Sequence, residues 1–253
     1  MACFEYPLNE RSRILLRLEY IFARILHYLP SEVSWDSQAA IAGLVEAANL
    51  FSRTDLKSEL LKEIDRNLNG MKRLNQLPGV DPQRLQETLD SLTQVQTSLL
   101  QHSKQIGLDL REDDFFKAIM QRSTIPGGTC AFDLPLFHLW LSKPKALRIQ
   151  TLSRWFDEFS AVNDSVKLLL GIYRGSYVMS EAVAAEGYYQ QGFDAGQTTQ
   201  LVSVELPSDC DIFPEVSGNR HRMSIRFRKV DSTTLEISTH VEDLSFRLGL
   251  SVI

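Results

Sequence analysis

The sequence predicts an α+β fold, with an N-terminal helical domain followed by a C-terminal antiparallel β-domain that is sandwich-like. Apolar residues recur at three- and four-residue steps over most of the first 175 positions, as in amphipathic helices. After about Glu186, short alternating segments are separated by turn residues, as in antiparallel sheets. Because the helices come first and the strands last, we expect a helical domain over 9–180 and a β-domain over 186–253.

Composition and charge narrow the class of protein. The chain has 253 residues, 43% of them hydrophobic, and a formal net charge of -5. This acidity argues against bulk nucleic-acid binding. Cys3, Cys130 and Cys210 form neither a disulfide framework nor a zinc spacing, which favours a reducing cytosol. No apolar run is long enough for a signal peptide or a membrane span, so we expect a cytoplasmic protein with no membrane partner.

The first residues are expected to form an edge strand at 3–8, followed by a helix that Asn9 caps. Apolar residues such as Leu18, Phe22 and Ile25 recur at helical spacing, and Pro30 ends this segment. The other side of the helix carries a stripe of cationic and amphipathic residues: Arg13, Arg17, Tyr20, Arg24 and His27.

The following helices have clear boundary signals. Thr54 or Asp55 caps a long helix, and Asp81 caps the next one with Pro82 at its first position. A Pro-Gly turn at 78–79 separates the two, which predicts an antiparallel helical hairpin. Further helices are expected at 37–51, 110–122, 135–141 and 145–174, and the sequence allows a short strand at 129–134.

The last third of the chain predicts an antiparallel sheet. Its segments are short, rich in β-branched and aromatic residues, and separated by turn residues such as Asp231-Ser232. The expected strands are 187–191, 200–206, 220–230, 234–241 and 244–248.

No motif points to catalysis. The five histidines show no metal-ligand spacing, and neither a phosphate-binding glycine loop nor a nucleophile elbow is present. Cys130 has no base nearby in sequence, so a small packed residue is its ordinary interpretation. We therefore expect no enzyme, no cofactor, no metal site and no catalytic residue.

One strand of the β-domain has an unusual charge pattern. In the stretch 217–230, Met223, Ile225 and Phe227 share one face, while Arg222, Arg226 and Arg228 share the other. Charges of this kind can be a solvated face that prevents edge pairing. However, arginine is the cation typical of interfaces, and either nucleic acid in a groove or an acidic protein segment would suit it.

His138 lies in a mostly apolar segment, Leu-Phe-His-Leu-Trp. The ordinary interpretation is a partly buried histidine with a hydrogen-bond partner. A binding role is the alternative.

Several specific stretches are spread along the chain. The longest is STIPGGTCAFDLPLFHLWL at 123–141, and SGNRHRMSIRF at 217–227 is also specific. The shorter ones are PLNE at 7–10, LLRLEY at 15–20, ELLKEIDR at 59–66, PGVD at 78–81, LRED at 110–113 and GYYQ at 187–190. Together these stretches resemble the ZapD family of bacterial cell-division proteins, which associate with the tubulin-like GTPase FtsZ.

The resemblance implies a non-enzymatic, cofactor-free homodimer that binds FtsZ through the FtsZ C-terminal tail. Such a protein bundles FtsZ filaments, stabilises the division ring at mid-cell and promotes septation. The positions that match the family's basic FtsZ-binding residues are Arg17, Arg53, His138, Arg222 and Arg226. The family can carry a basic residue where this chain has Asp114, so that contact is not expected here.

Overall fold

The computed structural model describes residues 1–53, 55–74, 79–193 and 199–252. Helices occupy the first part of the chain after one strand, and the remaining strands follow, so the predicted α+β class is confirmed. In chain order the elements are β1 (Ala2–Pro7), α1 (Glu10–Tyr28), α2 (Ser34–Arg53), α3 (Leu56–Leu74), α4 (Pro82–Gln101), α5 (Leu108–Glu112), α6 (Asp114–Arg122), α7 (Pro135–Leu141), α8 (Lys145–Asp157), α9 (Ser160–Gly175), β2 (Tyr177–Ala184), β3 (Tyr188–Gly192), β4 (Thr199–Leu206), β5 (Ile212–Gly218), β6 (Arg222–Val230), β7 (Ile237–Thr239) and β8 (Leu244–Val252).

The chain divides into two compact units. The β unit comprises Met1–Leu16 and Leu169–Ile253, and the helical unit comprises Arg17–Leu168. The limits fall inside α1 and α9, so each of these helices contributes to both units. The sequence-based domain limits, 9–180 and 186–253, follow the change in secondary structure along the chain, and they stay a prediction.

The β unit is a sandwich of two antiparallel sheets, as predicted. The first sheet has the order β1-β4-β8-β2, and the second has the order β3-β6-β5 with β7 pairing on β6. Inward side chains of both sheets form one core, in which the rings of Phe227 and Phe246 lie 5.0 Å apart. This arrangement leaves the outer face of β6, the central strand of the second sheet, free of the sandwich core.

Two strands, β2 and β5, were not predicted. β2 follows α9 after the single turn residue Ser176, so almost no chain separates the helical pattern from the strand. β5 contains Pro214, which is tolerated because β5 is an edge strand. A tight turn joins β2 to β3: Tyr188 N donates to Ala185 O at 2.9 Å, and Gly187 has a φ of 72°.

The strand allowed by the sequence at 129–134 does not form, which corrects that expectation. These residues make successive turns instead, in which Cys130 N donates to Gly127 O and Leu134 N donates to Cys130 O, both at 3.0 Å. Because these backbone donors are engaged locally, they cannot take part in a sheet ladder. Pro135 then begins α7.

The predicted helix caps lie where the sequence placed them. Asn9 Oδ1 accepts from Ser12 N at 2.9 Å, and Asp81 accepts from the amides of Gln83 and Arg84. Asp55 caps α3 by accepting from Ser58 N, whereas Thr54 and Pro78 lie outside the described residues. The helices α3 and α4 pack as the expected hairpin.

Two predicted helices are each divided in two. Asp113 ends α5 and caps α6 by accepting from Phe116 N at 2.9 Å, so the helix expected at 110–122 breaks there. The helix expected at 145–174 breaks between α8 and α9, where Phe159 N donates to Phe156 O. The side chain of Phe159 is fully buried against Phe22 and Phe51.

Candidate functional site

The two faces of β6 differ as the alternation predicted. Met223, Ile225 and Phe227 are at most 1% exposed and lie in the core of the sandwich. Arg222 and Arg226 are exposed on the opposite side. Because β6 is hydrogen-bonded on both edges, these arginines stand on a rigid backbone.

The register of the second sheet identifies the neighbours of the arginines. On β3, Tyr188 lies opposite Arg226, Gln190 opposite Ser224, and Gly192 opposite Arg222. On β5, Glu215 lies opposite Arg226, Ser217 opposite Ser224, and Phe213 opposite Arg228. Residues directly opposite share a face of the sheet. We call the resulting surface the arginine face: Tyr188, Gln190, Phe213, Glu215, Ser217, Arg222, Ser224, Arg226 and Arg228.

The charge of the arginine face is unevenly compensated. Arg228 Nε lies 3.7 Å from Glu215 Oε2, and Arg228 Nη1 donates to Thr239 Oγ1 at 2.9 Å. In the described part of the chain, the guanidinium groups of Arg222 and Arg226 have no hydrogen bond or ion pair. These two cations are therefore available to a partner.

A pocket of about 280 Å³ opens on the arginine face beside Arg222. Its walls are almost entirely polar and come from β3, β5 and β6 and from the turn between the last two. The lining residues are Tyr188, Gln190, Ser217, Gly218, Asn219, Arg222, Met223 and Ser224.

The basic stripe on α1 is largely paired, apart from Arg17. Arg13 lies 3.6 Å from Glu10, and Arg24 lies 2.8 Å from Glu46 while its guanidinium stands 5.9 Å from the ring of Tyr20. Arg17 is exposed, and none of the described residues forms a hydrogen bond or ion pair with its side chain.

Arg53 is the last residue of α2 and is exposed. It borders a pocket of about 390 Å³ that Asp55, Lys57 and Gln105 also line. Lys57 is held in place because its Nζ donates to the carbonyl of His102. The region around Arg53 thus contains two cations.

His138 is exposed on α7, so the interpretation as a partly buried histidine is wrong. The inward position of this short helix belongs to Phe137, which is 2% exposed, while Leu136 and Leu139 are 59% and 51% exposed. Asp114, where the family can be basic, is exposed in the first turn of α6, where a carboxylate suits the helix dipole.

The five predicted site residues therefore fall into two groups. Arg222 and Arg226 are brought together on one strand face, whereas Arg17, Arg53 and His138 stand on α1, α2 and α7 of the helical unit. Sequence reasoning missed the neighbours of the arginines, above all Glu215, because β5 was not predicted. The alternation of Phe213, Glu215 and Ser217 was the available signal.

The helical unit also has an apolar pocket of about 690 Å³, which sequence reasoning missed. Trp35, Ile41, Val45, Ile125 and Phe137 contribute to its lining. Trp35 is 73% exposed at the start of α2.

Among the described residues, no three acidic, histidine or cysteine side chains are arranged to hold a metal ion. None of the described helices is long and apolar enough to cross a membrane.

Comparison with known proteins agrees with the resemblance of the motifs. The family model described as "ZapD: Cell division protein" matches residues 16–226. The chain belongs to the ZapD family of cell division proteins. The ZapD match spans the whole helical unit and ends within β6, at Arg226.

Individual ZapD relatives align along almost the whole chain. Cell division protein ZapD of Methylococcus capsulatus is 35% identical over 250 residues, which cover 99% of this chain and 98% of the relative. The ZapD proteins of Chromobacterium violaceum and Coxiella burnetii are also 35% identical, over 248 and 247 residues. Those alignments cover 98% and 97% of this chain and 98% and 96% of the relatives. The ZapD description names cell division and no chemical reaction.

Proposed function

We propose that this protein binds FtsZ and crosslinks FtsZ filaments at the mid-cell division site, which stabilises the cytokinetic ring and promotes septation. Membership of the ZapD family supports a role in division. The observation that carries the binding proposal is the pair of uncompensated arginines, Arg222 and Arg226, on the outer face of β6.

Arginine on a rigid strand suits recognition of a charged tail. Its planar guanidinium forms two parallel hydrogen bonds with a carboxylate, and the paired strands hold both side chains at a fixed spacing. Because the contacts are exposed, each is worth only about 0.2–1 kcal/mol and weakens as salt is added. The partner in this proposal is the C-terminal tail of FtsZ.

Arg17, Arg53 and His138 are proposed as further FtsZ contacts in the helical unit. Arg17 and His138 are exposed, and Arg53 borders a pocket that also contains Lys57. The two arginines contribute positive charge, and His138 contributes an imidazole ring that can hydrogen-bond to the partner. The protein acts in this proposal by binding, without a cofactor or a catalytic step.

Crosslinking requires at least two binding sites in one particle. A symmetric homodimer presents the same site twice, so one dimer can hold two filaments. A filament repeats its subunits, so many weak contacts add by avidity. Weak, salt-sensitive contacts to single tails are therefore compatible with firm bundling.

Truncation of FtsZ tests the proposal. The protein is mixed with assembled FtsZ and GTP, and binding is measured by high-speed co-sedimentation. We expect it to pellet with full-length FtsZ and to stay in the supernatant when FtsZ lacks its C-terminal tail. Equal pelleting with both forms would contradict the tail as the docking segment, and pelleting with neither would contradict FtsZ as the partner.

A further inference from the structure

We propose that Arg148 is a positioning residue for His138, because its buried guanidinium ties the end of α7 to α8 and to the loop before α2. This inference deepens the proposed function and rests on it for the identity of the partner. Arg148 is only 4% exposed, so it acts through α7 and not by touching the partner. The inference adds a buried residue to the set of surface residues through which the helical unit binds FtsZ.

Arg148 occupies a place on α8 where a helix normally has an apolar residue. Leu152, Trp155 and Phe156 follow it at helical spacing, and all three are at most 8% exposed. Arg148 therefore belongs to the inward face of α8. A cation in such a place is costly unless its donors are bonded, so packing alone does not explain an arginine here.

The partners of Arg148 are backbone carbonyls. Nη1 donates to Leu141 O at 3.3 Å, and Nη2 donates to Glu32 O. Within the ranges that the structure describes, no carboxylate pairs with Arg148, and its Nε is buried without a hydrogen-bond partner. The arginine therefore serves the backbone of two other segments and does not neutralise a negative charge.

Arg148 completes the hydrogen bonding at the end of α7. The carbonyls in the last turn of a helix have no partner inside that helix. Two amides that follow α7 bond three of them: Ser142 N donates to His138 O and Leu139 O, and Lys143 N donates to Trp140 O. The carbonyl of Leu141 is bonded by Arg148. Because α7 has only seven residues, loss of this bond would affect a large part of the helix.

The second donor of Arg148 holds the loop between α1 and α2. Glu32 lies in this loop, and α8 binds it at two points. Arg148 bonds its carbonyl, and Lys145 Nζ lies 2.9 Å from its carboxylate. The ion pair with Lys145 is exposed and therefore weak, whereas the bond from Arg148 is buried. Arg148 is thus the firmer link between α8 and this loop.

His138 is the exposed side chain that the bridge orients. It lies three residues before the carbonyl that Arg148 bonds, within one helical turn. Phe137 is buried beneath it, and Trp140 Nε1 donates to Thr151 Oγ1 of α8 at 3.3 Å. These two rings set where α7 lies, and the Arg148 bridge fixes its last turn. Without the bridge α7 can rotate or lose that turn, and either change displaces His138.

A double-mutant cycle separates positioning from a general effect on stability. Anisotropy measures binding of a fluorescently labelled peptide of the FtsZ C-terminal tail to the full chain, at a temperature where circular dichroism shows every variant folded. The variants are His138→Ala, Arg148→Met and the two combined. We expect each single change to weaken binding about two- to fivefold. The double variant should bind no more weakly than the weaker single variant, because the contact of His138 cannot be lost twice.

Leu152→Ala is the matched control. Leu152 is the next inward residue of α8 and is fully buried, so the change destabilises the helical unit without touching the bridge. We expect this variant to bind the peptide as the wild type does, and His138→Ala to keep its full effect in it. Where Arg148→Met fails to fold, Arg148→Lys takes its place. Lysine keeps the charge, but its ammonium cannot span two carbonyls as the guanidinium does.

The imidazole signal of His138 reports the position of α7 without FtsZ. In heteronuclear NMR spectra of the histidine rings, His138→Ala identifies this signal. We expect Arg148→Met to shift or broaden it and to leave the signals of His221 and His240, in the β unit, unchanged. An unchanged His138 signal would overturn the inference.

Three results of the binding experiment would also overturn the inference. These are additive losses in the double variant, equal weakening by Leu152→Ala, and full binding by His138→Ala. In each case the proposed binding of FtsZ still stands, because the wild type binds the peptide. If the wild type does not bind the peptide but Arg148→Met moves the His138 signal, the positioning role stands and the identity of the partner is wrong.

Discussion

Glu215 lies directly opposite Arg226 in the ladder of β5 and β6, and its carboxylate reaches Arg228 at 3.7 Å. One carboxylate thus stands among the three cations of the arginine face. Glu215 compensates Arg228 and lowers the positive potential near Arg226. Arg222 lies four residues from Arg226 along β6, so Glu215 affects the potential there less. Glu215 is therefore expected to lower the affinity of the arginine face for any anionic partner.

Replacement of Glu215 by Gln should strengthen binding. The change removes one negative charge from the arginine face and keeps the size of the side chain. We expect the dissociation constant for FtsZ or for an acidic peptide to fall about two- to fivefold at low salt. The gain should shrink at high salt because exposed charges are screened. Weaker binding by this variant would mean that Glu215 positions an arginine that the partner needs.

Reversal of charge at both free arginines should abolish bundling. In Arg222→Glu combined with Arg226→Glu, two attractive contacts become repulsive while the inward face of β6 is untouched. We expect no FtsZ in low-speed pellets and a melting temperature close to that of the wild type. Lys229→Glu, on the same strand, should bundle normally. A well-folded double variant with full bundling would remove the arginine face from the proposal.

A partly buried ion pair should make the β unit sensitive to acid. Arg174 Nη2 lies 2.7 Å from Glu5 Oε2, and the Tyr177 hydroxyl donates to Glu5 Oε1 at 2.9 Å. Burial alone would raise the pKa of the Glu5 carboxyl, but these hydrogen bonds outweigh it, and the net pKa is lowered. A carboxyl with a lowered folded-state pKa adds stability above its unfolded pKa, and that stability is lost as the pH falls through the folded value.

Glu5→Gln tests this relationship. We expect it to reduce the free energy of unfolding by about 1–2 kcal/mol at neutral pH, and by less as the pH falls through the lowered pKa of the wild-type Glu5 carboxyl. Urea unfolding at several pH values measures the difference. Glu10→Gln, which changes an exposed carboxylate near Arg13, serves as the control and should have little effect. A constant difference at every pH would contradict the ionic account.

Gly187 should be required for the turn between the two sheets. Its φ of 72° is unfavourable for residues with a side chain, and a Cβ there would lie 1.9 Å from the carbonyl oxygen of His240. We expect Gly187→Ala to lower the free energy of unfolding by at least about 1–2 kcal/mol. Gly192→Ala, at the other end of β3, meets no atom within 4 Å and should be tolerated. Equal urea midpoints for the two variants would contradict the packing described.

The crosslinking proposal requires two sites in one particle, and we therefore predict a homodimer. Sedimentation velocity at micromolar concentration should give one species of about twice the chain mass of 28.8 kDa. Observation of the monomer alone under these conditions would contradict the bivalent mechanism.

Local signals in the sequence predicted the caps and the charged strand. Asn9 and Asp81 act on backbone amides two or three residues away, and the alternation of β6 needs only a buried face. β2 depends on pairing with β8, which is distant in sequence. β5 pairs with β6, which follows it after a short turn, and the alternation of Phe213, Glu215 and Ser217 is its only local signal. The place of Glu215 opposite Arg226 is fixed by the register of the β5 and β6 pairing.

The burial of His138 could not be predicted from its neighbours in the sequence. Its apolar neighbours suggested burial, but a single turn of α7 has only one inward position, and Phe137 occupies it. Leu136, His138 and Leu139 all lie on the exposed side of the helix. A hydrophobic sequence context therefore did not predict a buried side chain on so short a helix.

Low-speed co-sedimentation with FtsZ and GTP, at low and at high salt, tests the central claim most directly. At low speed only bundles pellet, and single filaments stay in solution. We predict that the protein brings FtsZ into the pellet at low salt and that the effect fades at high salt, because exposed arginine contacts are screened. If FtsZ stays in the supernatant at both salt concentrations, the crosslinking proposal is wrong. Bundling that is independent of salt would contradict the role of the arginine face.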